Sequence, residues 1–405
     1  MAIQISKALE YLHRLCVEIP NRRVGSDGNR AATDFFAGVV SSLGFVTETP
    51  EFDCIDWTQD GARLTVNGEP FEALVSPYSL GCQARAPLSV VTTIEELAAG
   101  QVGNALLLLR GEIAKEQLMP KNFPFYNPDE HKRIIQTLET KKPLAIIAAT
   151  ARNPEMAGGI YPCPLIEDGD FDIPSVYMTE EEGYRLAKHA GEEVTLESRS
   201  WRIPARGCNV VARKGAEAGR RIVFTAHIDA RYSTPGALDN ASGVVTLLLL
   251  AELLESYSGR LVLEIVAING EDYYANPGEI QYLQNNQAEF DKIILNINLD
   301  DVGFQDGGTA YSLYGCPDEL ASLIRATLSS QPGMIEGEPW YQGDHMIFVL
   351  NQVPAVAVTS ERAMQNLATI THTPEDKPEL VEVEKLVNLA AALRELLFAL
   401  EKSTV

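Results

Sequence analysis

Residues 221–250, RIVFTAHIDARYSTPGALDNASGVVTLLLL, carry an apolar run into a polar turn and then into a second apolar run. The first run, rich in β-branched and aromatic residues, predicts a buried strand, and the second predicts a helix. His227, Asp229 and Asp239 stand at the junction. In open α/β sheets ligands gather at strand ends and in the loops beyond them, so polar groups converging after a buried strand mark a candidate site. A His and an Asp two apart on an extended segment face the same way. The carboxylate can then hold one imidazole nitrogen while the other binds a metal.

The same arrangement recurs downstream. After the strand LVLEIVAI come Glu271 and Asp272, adjacent carboxylates of which one can ligate a metal while the other stays available for a proton. The strand KIILNINLD ends in Asp300 and Asp301, and VPAVAVT is followed by the loop THTPED with His372. Hard oxygen and imidazole donors thus follow four separate strands. Donors of this kind without thiols suit zinc or a similar borderline divalent ion, and a carboxylate shared by two ions suits a pair about 3.5–4 Å apart.

Strands alternating with helices from Cys208 onward predict a mainly parallel sheet covered on both faces. Two helices open the chain, near 5–18 and 27–43, with a Pro20–Gly25 breaker between them, and a short strand follows near 45–52. Strand signals such as ARLTV, FEALV, ALLLLR and LAIIAAT then mix with small helices and turns, with no clustered catalytic residues. Further helices are expected at 240–257, near 278–284, at 318–329 and at 381–400. At 405 residues the chain exceeds what one core usually serves.

A formal charge of −23 argues against nucleic acid or an anionic membrane as partner, because both bind through lysine and arginine. No stretch approaches about 20 uncharged apolar residues, and the amphipathic N-terminus lacks a signal-peptide core. Six scattered cysteines without CxxC spacing read as the reduced thiols of a cytoplasmic protein.

The order H-x-D, D-N-x-S-G, G-E-[ED], D-x-x-G, H-T-x-x-D resembles the di-zinc exopeptidases that include aminopeptidase Y, secreted bacterial aminopeptidases and glutamate carboxypeptidase. The opening GSDGNRAATDFF is similar to that family's start. The resemblance implies a three-layer α/β/α sandwich with a mixed, mostly parallel sheet, formed by residues 1–60 and 200–405. Residues 61–199 look like an inserted, smaller α+β protease-associated domain. It also implies two divalent ions, zinc by preference: His227 and Asp300 on one, Asp272 and His372 on the other, Asp239 bridging. Glu271 would be the general base, Asp229 would orient His227, and the Asp239–Asn240 bond would be cis.

The chain departs from the pattern at two places. The family usually has Glu-Glu where this chain has Glu271-Asp272, so the shorter Asp272 would hold its ion more loosely. Gly343 replaces the serine of S-D-H-x-x-F, in which Asp344 and His345 would line the pocket. The implied reaction is two-metal hydrolysis of a terminal bond in a peptide or small amide. Aminopeptidase is favoured, with carboxypeptidase or N-acyl amino acid deacylase as alternatives, and Arg231 stands where it could read a substrate carboxylate. Readings from other classes are a one-zinc glutaminyl-cyclase-like acyltransferase and a metal-free transferrin-receptor-like binding domain.

Overall fold

The computed structural model describes residues 2–19, 21–150, 164–216 and 218–403. They divide into two compact units, one formed by residues 1–54 and 206–405 and the other by residues 55–205. The division falls inside two 16-residue strands, Glu51–Val66 and Glu193–Cys208. The segment ARLTV is therefore the end of a long strand. Gly61 within it adopts φ +81° with open space around its α-carbon, which lets the strand bend where the sequence suggests a stop.

The larger unit is built on an eight-stranded sheet. Its order is Val46–Glu48, Val210–Gly215, Val262–Ile268, Arg221–His227, Ile293–Leu299, Ala355–Ser360, Thr309–Tyr314, Met334–Glu336. The strands from Val262–Ile268 to Ala355–Ser360 run parallel, and antiparallel pairs flank them, so the sheet is mixed and mostly parallel. Side chains alternate across it as the two-residue period requires. Ile222, Phe224 and Ala226 enter one core with Leu263, Ile265 and Ala267, whereas Val223, Val266 and Ile268 enter another with Tyr282, Phe290 and Phe348. Helices cover both faces and make three layers.

The helix Ser242–Leu253 is buried nearly all round, which its run of leucines and valines dictates. It begins two residues later than the apolar run suggests, since Asp239 (φ −113°, ψ 87°) and Asn240 (φ −137°, ψ 41°) are not helical. Ala2–His13, Asp27–Ser42 and Val383–Lys402 pack around it. Ser26 caps the second of these, its Oγ accepting from the Asn29 amide at 3.1 Å. The short elements Met334–Glu336, His345–Leu350 and Ala363–Thr369 carry no periodic signal and were not legible in the sequence.

Register decides where the functional side chains emerge. His227 pairs with Ile268 on one side, Thr225 with Asn298 on the other, and Leu299 with Val358. The parallel strands therefore end at one edge, and Asp229, Asn269 to Asp272 and Asp300 all leave the sheet there.

The smaller unit holds its own eight-stranded sheet, in which Cys82–Val91, Leu106–Leu109, Ala145–Thr150 and Ser175–Thr179 run parallel. Ile94–Ala99 and Asp129–Lys141 lie over one face and Glu180–Ala187 over the other, with an apolar core on each side. Among the described residues no helix is long and apolar enough to cross a membrane.

One buried cation ties the N-terminal segment to the loop before Ser242–Leu253. Arg22, 2% exposed, donates to the carbonyls of Leu15 (2.8 Å), Ile228 (3.1 Å), Pro235 (2.8 Å) and Gly236 (2.7 Å). Arg22→Ala strips these carbonyls of their donors and is expected to cost about 3–5 kcal/mol in urea unfolding, with Arg22→Lys restoring only part.

Candidate metal centre

Four loops at the sheet edge bring together two imidazoles and four carboxylates. His227 Nε2 lies 3.0 Å from Asp239 Oδ1, 3.4 Å from Asp300 Oδ1 and 4.0 Å from Glu271 Oε2. His372 Nε2 lies 2.9 Å from Asp239 Oδ2 and 3.0 Å from Asp272 Oδ1. Asp239 thus presents one oxygen to each imidazole. The donor atoms of His227, Asp239 and Asp300 lie within 4.8 Å of one another, as do those of Asp239, Asp272 and His372.

The backbone explains why these side chains converge. Asp229, two residues past the end of its strand, accepts from Gly270 N (2.7 Å) and Asp272 N (3.1 Å), clamping the next loop to its own. Gly270 makes that approach with φ +113°, a conformation in which a β-carbon would also strike Pro277 at 2.9 Å. Asn269 and Asn29 exchange amide hydrogen bonds at 2.8 and 3.0 Å, and Asn209 Oδ1 accepts from Asn269 N at 2.9 Å, so the loop carrying Glu271 is anchored from below. The Asp239–Asn240 peptide bond is cis. Asn240 then spans from Leu299 O (2.7 Å) to Gly243 N (3.0 Å).

Asp300 and Asp301 part company at the strand end. Asp300 turns toward His227, while Asp301, at φ +50°, directs its carboxylate to the Asn366 amide at 3.3 Å. Arg231 donates from Nε to Asp272 Oδ1 at 3.1 Å, so the arginine that could read a substrate carboxylate engages a site carboxylate. Asp344 and His345 are buried. His345 is packed between Tyr314 and Trp340 with Nε2 3.1 Å from Trp340 O, which makes it part of a wall. Gly343 sits so close to Asp300 that an added β-carbon would lie 3.3 Å from its Oδ2 and 3.0 Å from the Trp340 ring.

Asp376 was not singled out from the sequence. Fully buried, it accepts from Leu238 N (2.8 Å) and Asp239 N (3.1 Å) on its two oxygens, fixing the backbone that aims Asp239. Its place four residues after His372 in H-T-x-x-D was the available signal. Glu279 and Asp344 also add buried carboxyls beneath the cluster, and burial, with Glu271 nearby, pushes the Glu279 carboxyl up to about 8.

Electrostatically the site calls for cations. Burial opposes charge on every member, holding Glu271 well above the usual carboxylate range against the pull of His227. Burial and Arg231 push the His372 imidazole down, but Asp272 and Asp239 outweigh them and hold it at about 10. His227 is likewise raised, Asp300 and its neighbours overcoming burial. Both His227 nitrogens and Asp272 Oδ2 are buried without a hydrogen-bond partner. Lone pairs facing carboxylates at 3.0–3.4 Å without hydrogen-bond geometry fit a set of donors arranged around divalent ions.

Fold and site together define an α/β protein with a candidate two-ion centre, its bridging carboxylate held between two imidazoles at the edge of a parallel sheet. Residues 209–397 match the model of peptidase family M28. A probable lipoprotein aminopeptidase, LpqL, of Mycobacterium tuberculosis is 26% identical over 233 residues, covering 56% of this chain and 44% of that protein. The chain therefore spans less than half the length of that relative. A probable leucine aminopeptidase 2 of Aspergillus fumigatus is 23% identical over 370 residues, covering 83% of this chain and 67% of the other. Among solved structures, BSAP, a zinc aminopeptidase from Bacillus subtilis, superposes with a TM-score of 0.76 at 18% identity, covering 99% of this chain and 96% of that one, a likeness of fold.

Two outcomes follow from the geometry. Asp376→Asn can accept only one of the two amide hydrogens, and ion affinity by competition with a chromophoric chelator is expected to fall about 10–100-fold. His372, held at about 10, carries a proton at neutral pH when no ion is present, and a ligating imidazole must be neutral. Ion uptake should therefore release protons and tighten as pH rises from 6.5 to 8.5, measurable by calorimetry in buffers of different ionisation enthalpy.

Proposed function

We propose that the chain is a metal-dependent exopeptidase that hydrolyses the terminal bond of a peptide or small amide, most simply an aminopeptidase using two zinc ions. The observation that carries this reading is the juxtaposition of Glu271 with the bridged donor set. Its carboxylate lies 4.0 Å from His227 Nε2, beside Asp272 in the chain and at the edge of the cluster. The residues that would hold the ions are His227, Asp239 and Asp300 on one side and Asp239, Asp272 and His372 on the other. When bound, such ions lower the pKa of water and polarise the scissile carbonyl.

The chain's own residues supply the rest. Glu271 takes the proton of the attacking water at a carboxylate oxygen and returns it to the leaving amine. Asp229, with Oδ1 3.7 Å from His227 Nδ1, orients that imidazole. The concentration of carboxylates at the cleft suits an α-ammonium group. Arg231 is engaged with Asp272, which favours amino- over carboxy-terminal recognition.

The proposal extends to the smaller unit, read as a protease-associated domain from its position between the two segments of the larger one and its own sheet and cores. The free thiols of Cys16, Cys82, Cys208 and Cys316 support a reducing, cytoplasmic setting. Cys163 lies outside the described residues.

Glu271→Gln tests the reading. Turnover of N-unblocked peptides is expected to fall about 10²–10⁴-fold with two zinc ions per chain retained by elemental analysis. Full activity in this variant, or cleavage of N-blocked but not C-blocked peptides by the unmodified chain, would overturn the base or the polarity respectively.

A further inference from the structure

The two halves of the donor set are not electrically alike. Asp239 and Asp300 each face histidine imidazoles. Asp272 is different. Its Oδ1 is shared between His372 Nε2 at 3.0 Å and Arg231 Nε at 3.1 Å, and its side chain is 3% exposed. Its backbone amide is bonded to Asp229, so the carboxylate has little freedom to swing away from the guanidinium. The side chain is also short, which keeps Oδ1 close to the backbone and beside Arg231.

We propose that Arg231 is a built-in cation at the half-site of Asp272 and His372 that makes this half bind its ion more weakly and fill second. The inference rests on the two-ion reading above. An arginine stays charged throughout the working pH range, so it cannot withdraw by losing a proton. An ion ligated by Asp272 Oδ1 at about 2.0–2.2 Å would lie within about 5 Å of Arg231 Nε and feel a like charge there. Asp272 also gives part of its charge to the guanidinium and is a poorer donor for it. The half formed by His227, Asp239 and Asp300 carries neither handicap and fills first. Arg231 stays beside the buried Asp272 whether or not the ion is bound, so the second ion can leave without stranding an uncompensated carboxylate.

The test is zinc titration of the full chain, stripped with a chelator and followed by competition with a chromophoric chelator. The unmodified chain should take up two ions in unequal steps. Arg231→Met and Arg231→Gln should tighten the second step about 10–100-fold and leave the first within about twofold, whereas Arg231→Lys should keep the steps unequal. Circular dichroism establishes that each variant is folded. A second step that is unchanged or weaker in the neutral variants would overturn the inference, as would equal steps in the unmodified chain, and both results leave the two-ion reading intact. No uptake of zinc by the unmodified chain would overturn both. If neither neutral variant folds, the inequality of the two steps in the unmodified chain and in Arg231→Lys decides.

Discussion

Burying carboxylates without cations is the constraint on which the rest of the larger unit depends. Asp229, Asp239, Asp272, Asp300, Asp301, Asp344 and Asp376, with Glu271 and Glu279, crowd one edge of one sheet, and most are almost wholly removed from solvent. Taken alone, each ion would cost several kcal/mol to desolvate. The structure answers in three ways. Backbone amides donate to Asp229 and Asp376, imidazoles face Asp239, Asp272 and Asp300, and the Arg231 guanidinium leans on Asp272. What remains uncompensated faces the gap between His227 and His372, where divalent charge would be held.

The scaffold spends its regularity on aiming those groups. Parallel strands in register end together, so residues far apart in sequence leave the sheet along one line. Loops would blur that precision if left mobile. They are instead tied to one another: Asp229 to the Gly270 loop, Asn269 to Asn29, Asp376 to the backbone of Asp239, and Arg22 to the carbonyls beneath. Each tie is a buried polar contact, and each is strong because its alternative is an unsatisfied group in a low-dielectric interior. Rigidity around the donors and stability of the unit thus have the same origin. His372, held at φ +63° in a tight turn, shows the residual strain that such anchoring supports.

The fold was legible in the sequence to the extent that its signals were periodic. The run RIVFTAH, the leucine-rich helix after it and the strand LVLEIVAI declare themselves because burial on both faces demands unbroken apolar segments. The short strand Met334–Glu336 and the one- to two-turn helices near the cleft do not, because too few residues are present for a period to show. The long strand Glu51–Val66 was obscured by Gly61, which bends a strand as readily as it ends one.

By itself the sequence determined which chemistry was available: imidazoles and carboxylates after successive strands, no clustered thiols, and an acidic surface hostile to phosphate. Those are properties of side-chain type and spacing. The tertiary structure decided how these groups are held. It turned Asp300 inward and Asp301 toward Asn366, recruited Asp376 to hold Asp239, and set Arg231 against Asp272. Such choices depend on which oxygen lies near which nitrogen at about 3 Å, and that is settled by strand register and loop anchoring across more than a hundred residues of chain, where no local pattern reaches.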